Sequence, residues 1–436
     1  MRFLGVTETC DLASLYLRLQ AGGHEVKVSV SWEKAQGTLA GMVTRSQDWR
    51  AELDWVRAAG DEGIIIFEAV SEGFGALQDS LRRDGFRVIG GSAFGDRLEN
   101  DRFYAQRLLA ELGFRTAAAV EFSDAGEAAD HIAASPARYV LKFSGHGFDS
   151  NHNYVGRLPD GSDVLAMLKA RLGAREGRPT RFILMEHIDG VEMGVGAYFD
   201  GEAFLAPACL DWEHKKFFAG DQGELTGEMG TVATFDRSRV FFERTLALVE
   251  PLLRAHGHVG YVNLNTIVNE AGIWPLEFTC RFGCPGYAVL DPLQETPWAE
   301  LLAIMARRSG GTFAAAPGFS VGIVLTTPPF PYSRMEIDEP VGLPVLLPDD
   351  FDAEDLLHVH PAEVGLADGQ LVTSGIYGWP MVVTGTGPTI VEAQRAAYAR
   401  AGQILIPNVR YRLDIGDRLA AQDYSRVDRL SLLASV

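Results

Sequence analysis

Cysteine is scarce in this chain, with four in 436 residues at positions 10, 209, 280 and 284. They make no disulfide framework and no pair of CxxC motifs, so a reducing, cytoplasmic setting is the expectation. Cys280 and Cys284 stand four apart, but two thiols without a nearby partner pair are more often packing residues than metal ligands. No apolar run approaches the length that spans a bilayer. The opening stretch, Met1-Arg2-Phe3-Leu4-Gly5-Val6-Thr7, goes straight into a strand-like pattern and has no signal-peptide anatomy. Positive charge is also in short supply: 39 basic residues face 58 acidic ones, a net charge of −19. That balance argues against general binding to nucleic acid or to an anionic membrane, since both need a cationic footprint. A small anionic ligand is still allowed, because it needs only a local cluster of Arg, Lys and backbone N–H groups.

What is present is ordinary for a globular protein, 47% hydrophobic and 22% charged, with no internal repeat. The first hundred residues alternate strand and helix patterns. Phe3 to Val6, Glu25 to Val30, Gly63 to Phe67 and Arg87 to Ile89 read as strands, and Asp11 to Ala21, Ala51 to Ala59 and Gly75 to Asp84 as helices. Such alternation predicts a doubly wound parallel sheet that binds ligands beyond its carboxyl ends. The dinucleotide fingerprint is missing, since Gly5-Val6-Thr7-Glu8-Thr9-Cys10-Asp11 holds one glycine. A nicotinamide or flavin role, as in a dehydrogenase, therefore ranks last. A helix over about Asp101 to Leu112 ends at Gly113, a plausible C-cap. Beyond it the pattern becomes mixed, with strands expected at Tyr139 to Phe143, Arg181 to Glu186, Gly194 to Phe199, Ala203 to Cys209, Tyr261 to Val268 and Trp274 to Thr279. Residues 310–318 look like a linker, followed by more strands and a strong helix at Thr389 to Gly402.

Four segments can carry chemistry. In Tyr139-Val140-Leu141-Lys142-Phe143-Ser144-Gly145-His146-Gly147, a lysine near a strand end precedes a two-glycine loop. That suits a polyphosphate, although a strand-end lysine is commonly a plain surface residue. Leu184 to Glu192 runs from an apolar strand into a hinge with Glu186 and Glu192 at its ends. It can hold adenine by backbone bonds and ribose through Glu192, or it is simply a strand and turn with solvated acids. Asp211-Trp212-Glu213-His214-Lys215-Lys216 and the loop Leu225-Thr226-Gly227-Glu228-Met229-Gly230-Thr231 can surround an amino acid, with its ammonium on Asp211 and a phosphate on Lys215. A solvated charged face is the plainer alternative. Finally, Gly260 to Asn265 and Pro275 to Gly283 read as paired strands. Asn263 and Asn265 share one face, and Glu277, Thr279 and Arg281 alternate onto one face. One carboxylate with neutral oxygens suits Mg2+, and Arg281 can grip a phosphoryl group bidentately. The wet face of an antiparallel sheet would read the same way.

Taken in order, these segments resemble the glycinamide ribonucleotide synthetase (phosphoribosylamine–glycine ligase) family of ATP-grasp enzymes. The likeness includes Asp211-x-x-His214-Lys215, Thr226-Gly227-x-Met229-Gly230 and Leu276-Glu277-Phe278-x-Cys280-Arg281-Phe282-Gly283. It continues through Val391-Glu392-Ala393-Gln394-Arg395-Ala396-Ala397-Tyr398 and Arg412-Leu413-Asp414-Ile415-Gly416. The resemblance implies an α/β and α+β chain in three parts: a doubly wound domain over 1–115, an ATP-grasp domain over 116–310 and a small mixed domain over 311–436. It implies an ATP-dependent carboxylate–amine ligase working through an acyl phosphate with Mg2+ or Mn2+, acting on a small amino acid and an amine, with no nucleic-acid or membrane partner. Oligomeric state stays open. On this pattern Lys142, Gly145 and Gly147 contact the ATP phosphates, Glu186 and Ile188 flank adenine, and Glu192 takes the ribose. Glu277 with Asn265 holds the metal, and Arg281 and Lys215 are catalytic. Asp211, His214, Thr226, Gly227, Glu228 and Arg412 face the substrate.

The departures from the family pattern are specific. Gly5 to Asp11 lacks the Gly-rich loop, and a Gly-Pro-Glu segment reads Phe67-Glu68-Ala69. The second metal-binding residue reads Thr279, a glycine reads Glu228, and the helix-start lysine reads Asp101 or Arg102. A Gly-Gly-Arg near the C-terminal phosphate site reads Gly375-Ile376-Tyr377-Gly378-Trp379. Most of these fall around the amine acceptor, which predicts a changed acceptor or amino acid. The alternative is a non-catalytic nucleotide-binding or regulatory protein that keeps the fold.

Overall fold

The structure is a computed structural model and describes residues 1–68, 73–144, 153–173, 181–331 and 341–433. Strands β1 (Arg2–Thr7), β2 (Glu25–Val30), β3 (Thr44–Arg45), β4 (Gly63–Phe67) and β5 (Arg87–Ile89) form a parallel sheet in the order β3-β2-β1-β4-β5. The chain reverses its winding between β1 and β4, so the ligand-facing crevice lies beyond their carboxyl ends. Both strands are buried over nearly their whole length, as a parallel sheet covered on two faces requires. The first helix, expected from Asp11, spans Ala13–Ala21.

A smaller unit follows, with β6 (Ala119–Phe122), β7 (Tyr139–Ser144), β8 (Tyr154–Val155) and β9 (Arg181–Glu186) in the order β6-β9-β7-β8. It has its own apolar cluster, which includes Phe122, Ile132, Leu141, Leu168 and Phe182. The central sheet is built from β10 (Val191–Phe199), β11 (Cys209–Glu213), β14 (Gly230–Thr234), β15 (Gly260–Asn269), β16 (Gly272–Thr279), β17 (Phe319–Leu325), β18 (Val359–Pro361) and β21 (Met381–Gly387). Its strand order is β16-β15-β10-β11-β14-β17-β21-β18. Two hairpins flank it: β12 (Lys216–Phe218) with β13 (Gln222–Leu225), and β19 (Val364–Ala367) with β20 (Gln370–Thr373). Among the described residues no helix is long and apolar enough to cross a membrane.

Two expectations change. The strand expected over Ala203 to Cys209 begins only at Cys209; before it, Phe204 and Ala206 make isolated bridges. A cis Ala206-Pro207 peptide lies in this stretch, and proline has no N–H for a ladder. Second, the expected boundary at 310/311 does not divide the sheet. β17 pairs with β14 through Gly230↔Ile323 to Ala233↔Ser320, so strands from both sides of that boundary share one hydrogen-bonded ladder.

Candidate active site

Period two places the polar residues of the central sheet. In β15 and β16, Asn265 stands directly across from Glu277 and Asn263 across from Thr279, so all four share one face. One strand further, β10 supplies Gly194 opposite both Asn265 and Asp211, and Gly196 opposite both Asn263 and Cys209. A Cβ on Gly194 would lie 2.2 Å from Asp211 Oδ1, and one on Gly196 would lie 1.8 Å from the Tyr261 phenol oxygen. The two glycines therefore leave room for Asp211 and Tyr261 on the floor of a cavity of about 430 Å³. Asp211, Lys215, Thr226, Gly227, Glu228, Asn265, Glu277 and Arg281, all singled out from the sequence, line that cavity.

Charges are paired tightly at its mouth. Lys215 Nζ lies 3.1 Å from Glu192, 3.0 Å from Glu213 and 3.2 Å from Glu277. Arg102 holds the other Glu277 oxygen at 3.0 Å. Lys215, Arg102 and Lys142 together keep the Glu277 carboxyl well below its usual range, against the opposing effect of burial. Burial and the nearby Arg102 pull the Lys142 ammonium down to about 8. Asn265 Nδ2 donates to Glu192 at 2.9 Å, and its neutral amide oxygen can offer a lone pair to a cation across from Glu277. One carboxylate and one amide oxygen fit Mg2+, which takes few protein ligands. Among the described residues there is no cluster of three or more metal-ligating side chains. Arg281 is held by Glu99 at 3.2 Å.

Deeper in the cavity the balance is acidic. Asp211 accepts from Asn263 at 2.6 Å, while burial and Glu213 push its carboxyl up to about 7. Burial and the carboxylates of Glu213 and Asp211 push Glu228 well above its ordinary value. A second, larger cleft of about 850 Å³ lies against the small sheet and is lined by His187, Ile188, Asp189, Glu192, His214 and Arg412 among others.

The sequence-derived residues thus divide. His214, the residue after β11, does not line the cavity that Asp211 lines, and its Nε2 accepts from the Gly416 N–H at 3.1 Å. Arg412 is 3% exposed and bound to Asp221 and Asp414. Neither lines the cavity of Asp211 and Glu228, although both were expected to face the substrate; they line the second cleft. Ile188 and Glu192 line the second cleft too, while Glu186 is exposed outside both. Gly145 and Gly147 lie outside the described residues. Glu213 was missed, though its place two residues from both Asp211 and Lys215 was the signal for it. Asp11, Tyr377 and Trp379, which stand in two of the segments that depart from the family pattern, also line the cavity, as does Phe330, which carried no local signal.

Residues 100–287 match the family model of the phosphoribosylglycinamide synthetase ATP-grasp (A) domain, and that match contains Arg102, Lys142, Lys215, Glu277 and Arg281. Over that span the chain is similar to the ATP-grasp domain of this ligase family. It is 28% identical over 356 residues to the phosphoribosylamine–glycine ligase of Nostoc sp., covering 79% of this chain and 81% of that one. The crystal structure of phosphoribosylamine–glycine ligase from Thermotoga maritima superposes with a TM-score of 0.71 at 22% identity, covering 95% of this chain and all of that one. The biotin carboxylase domain of Hydrogenobacter thermophilus 2-oxoglutarate carboxylase, solved with MgADP, ADP and bicarbonate, gives a TM-score of 0.65 at 12% identity, covering 100% of this chain and 99% of that one. At these identities the two structures speak for the ATP-grasp fold alone.

Proposed function

We propose that this ATP-grasp carboxylate–amine ligase works through an acyl phosphate on substrates other than those of its phosphoribosylamine–glycine ligase relatives. The observation that carries the reading is the gathering of Lys215, Arg102 and Lys142 around Glu277, which lines one cavity together with Lys215 and Arg281. ATP lies in the larger cleft, with adenine against Ile188 and the hinge after β9, and ribose on Glu192. Lys142 and Arg102 hold the phosphates. Glu277 and Asn265 would hold Mg2+, which offsets charge on the transferring phosphoryl group. Arg281 orients the substrate carboxylate, whose oxygen attacks the γ-phosphorus as the bond to ADP breaks. An amine nitrogen then attacks the acyl carbon, and inorganic phosphate leaves. Positioning and charge compensation supply most of the acceleration.

Hydroxylamine tests the first half, since it traps an acyl phosphate without the native amine. With ATP, Mg2+ and a panel of carboxylic acids, one acid is expected to yield its hydroxamate by mass spectrometry. Glu277→Gln should lower that yield by about a hundredfold or more while leaving the fold intact. Efficient turnover of phosphoribosylamine with glycine would refute the altered substrates. A second reading, a nucleotide-binding protein without catalysis, draws on Lys215, which already places a positive charge among Glu192, Glu213 and Glu277. On that reading no acid gives a hydroxamate, and Glu277→Gln merely weakens nucleotide binding.

A further inference from the structure

Two anion cradles border the cavity, one at a helix N-terminus with a single backbone N–H and a phenol, the other a nest of backbone amides, and the protein fills both with its own glutamates. At the N-terminus of the first helix, beyond the carboxyl end of β1, Glu68 accepts from the Leu12 N–H at 2.7 Å and from the Tyr16 hydroxyl at 2.5 Å. That is where a doubly wound sheet presents N–H groups to a phosphate. The Tyr16 ring also occupies the space over Gly5, where a Cβ would stand 2.4 Å from it. On the other side, four consecutive amides, those of Ile376, Tyr377, Gly378 and Trp379, form a nest of the kind that binds phosphate. All four donate to the Glu363 carboxylate at 2.7 to 3.0 Å. Glu68 is 5% exposed and Glu363 6% exposed, so neither is a surface group free to swing away.

Between these filled cradles the cavity is lined by five acids, Asp11, Asp211, Glu213, Glu228 and Glu277, against two bases, Lys215 and Arg281. Both bases are already paired with carboxylates. Asp211 Oδ1, Glu228 Oε1 and Thr231 Oγ1 are buried in its wall with no hydrogen-bond partner among the described residues, and so is Trp379 Nε1. Asp211, Glu228 and Thr231 are each less than a tenth exposed. A buried carboxylate oxygen without a donor costs free energy until a ligand supplies one. The opposite wall is aromatic, with Trp379 and Phe330 packed at 5.5 Å and tilted by 48° beside Tyr377. Aromatic faces and unpaired carboxylates both favour a cationic nitrogen.

We infer that the substrate taken by this cavity is a phosphate-free organic cation, with its ammonium or guanidinium group donating to Asp211 and Glu228 and its carbon frame against Trp379 and Phe330. The inference rests on the ligase reading for its place in the reaction, but not for the binding itself. In the empty cavity burial and Glu213 raise the Asp211 carboxyl to about 7, and burial with Glu213 and Asp211 raises that of Glu228, so both hold protons more tightly than free carboxyls do. An arriving cation expels protons as it binds.

Calorimetric titration of the full chain, without ATP, tests this with L-arginine, L-lysine, agmatine and putrescine as cationic probes and ribose 5-phosphate and inorganic phosphate as anionic ones. At least one cationic probe is expected to bind one-to-one. Its enthalpy should vary with the ionisation enthalpy of the buffer, the signature of proton release. Glu228→Gln, which keeps the shape, should weaken that binding by roughly tenfold or more, and Asp211→Asn should do likewise. The inference is overturned if no cationic probe binds at millimolar concentration, or if both variants bind as tightly as the natural chain. It is equally overturned if ribose 5-phosphate displaces the bound cation. Binding of a cation with no hydroxamate formed would uphold this site and refute the ligase reading. A hydroxamate formed while ribose 5-phosphate displaces the cation would do the reverse.

Discussion

Glu68 shows how far one residue can depart from what its type suggests. A glutamate after the strand GIIIF reads as a loop acid, yet it is 5% exposed and accepts hydrogen bonds from Leu12 and Tyr16. Burial, followed by repulsion from Asp11, raises its carboxyl from an ordinary 4.5 to about 8. The folded protein therefore holds a proton that the unfolded chain has released between those two values. Stability falls as pH rises from about 4.5 to about 8 and levels off above. Urea denaturation across that range should show a loss on the order of a few kcal/mol from this group. Glu68→Gln should flatten its share of the slope; an unchanged slope would mean the proton is not held there. Lys215 makes the same point with the opposite sign: burial opposes its charge, but Glu192, Glu213 and Glu277 hold its ammonium well above the ordinary lysine range.

At the scale of the element, β10 is the strand whose sequence says least and whose position matters most. It runs between β11 and β15 and meets the cavity with Gly194 and Gly196. Gly194→Ala would force the Asp211 carboxylate aside, so cation binding should weaken while the fold survives. Gly196→Ala meets a buried phenol whose hydroxyl lies 3.0 Å from Cys209 Sγ. That overpacking should cost about 1 to 3 kcal/mol in denaturant titration. A Gly196→Ala protein as stable as its parent would show that Tyr261 can move aside freely. The strands around β10 were readable beforehand. Arg181–Glu186 was bounded as expected, and Asn263, Asn265, Glu277 and Thr279 face each other as their spacing required. Residues 203–208 were misread because apolar composition alone cannot report that their pairing stops at isolated bridges and makes no continuous ladder.

For the molecule as a whole, the shared ladder between β14 and β17 carries the consequence. A chain ended at residue 310 would lose β17, β18 and β21 and leave β14, buried along its whole length, as an open edge. Such an edge invites aggregation. The 1–310 fragment is therefore expected to be insoluble, or to bind a hydrophobic dye with weakened near-ultraviolet dichroism. A monomeric fragment with the cooperative unfolding of the parent would contradict this.

The sequence by itself determined the order of elements, the parallel N-terminal sheet and the face that gathers Asn263, Asn265, Glu277 and Thr279. Each of these rests on a local period, and a period of two or 3.6 residues needs no knowledge of distant chain. The same local motifs singled out Lys142, Lys215 and Arg281, and the family likeness added His214 and Arg412. Only the tertiary structure decided that Arg102 meets Glu277, that Glu99 holds Arg281, that His214 and Arg412 turn toward the other cleft, and that Glu68 and Glu363 close two anion cradles. Apart from the side on which His214 falls and the short reach of Glu363 to its loop, these depend on segments many tens of residues apart. Which partner a buried charge finds there is set by sheet order and packing, and no local pattern encodes it.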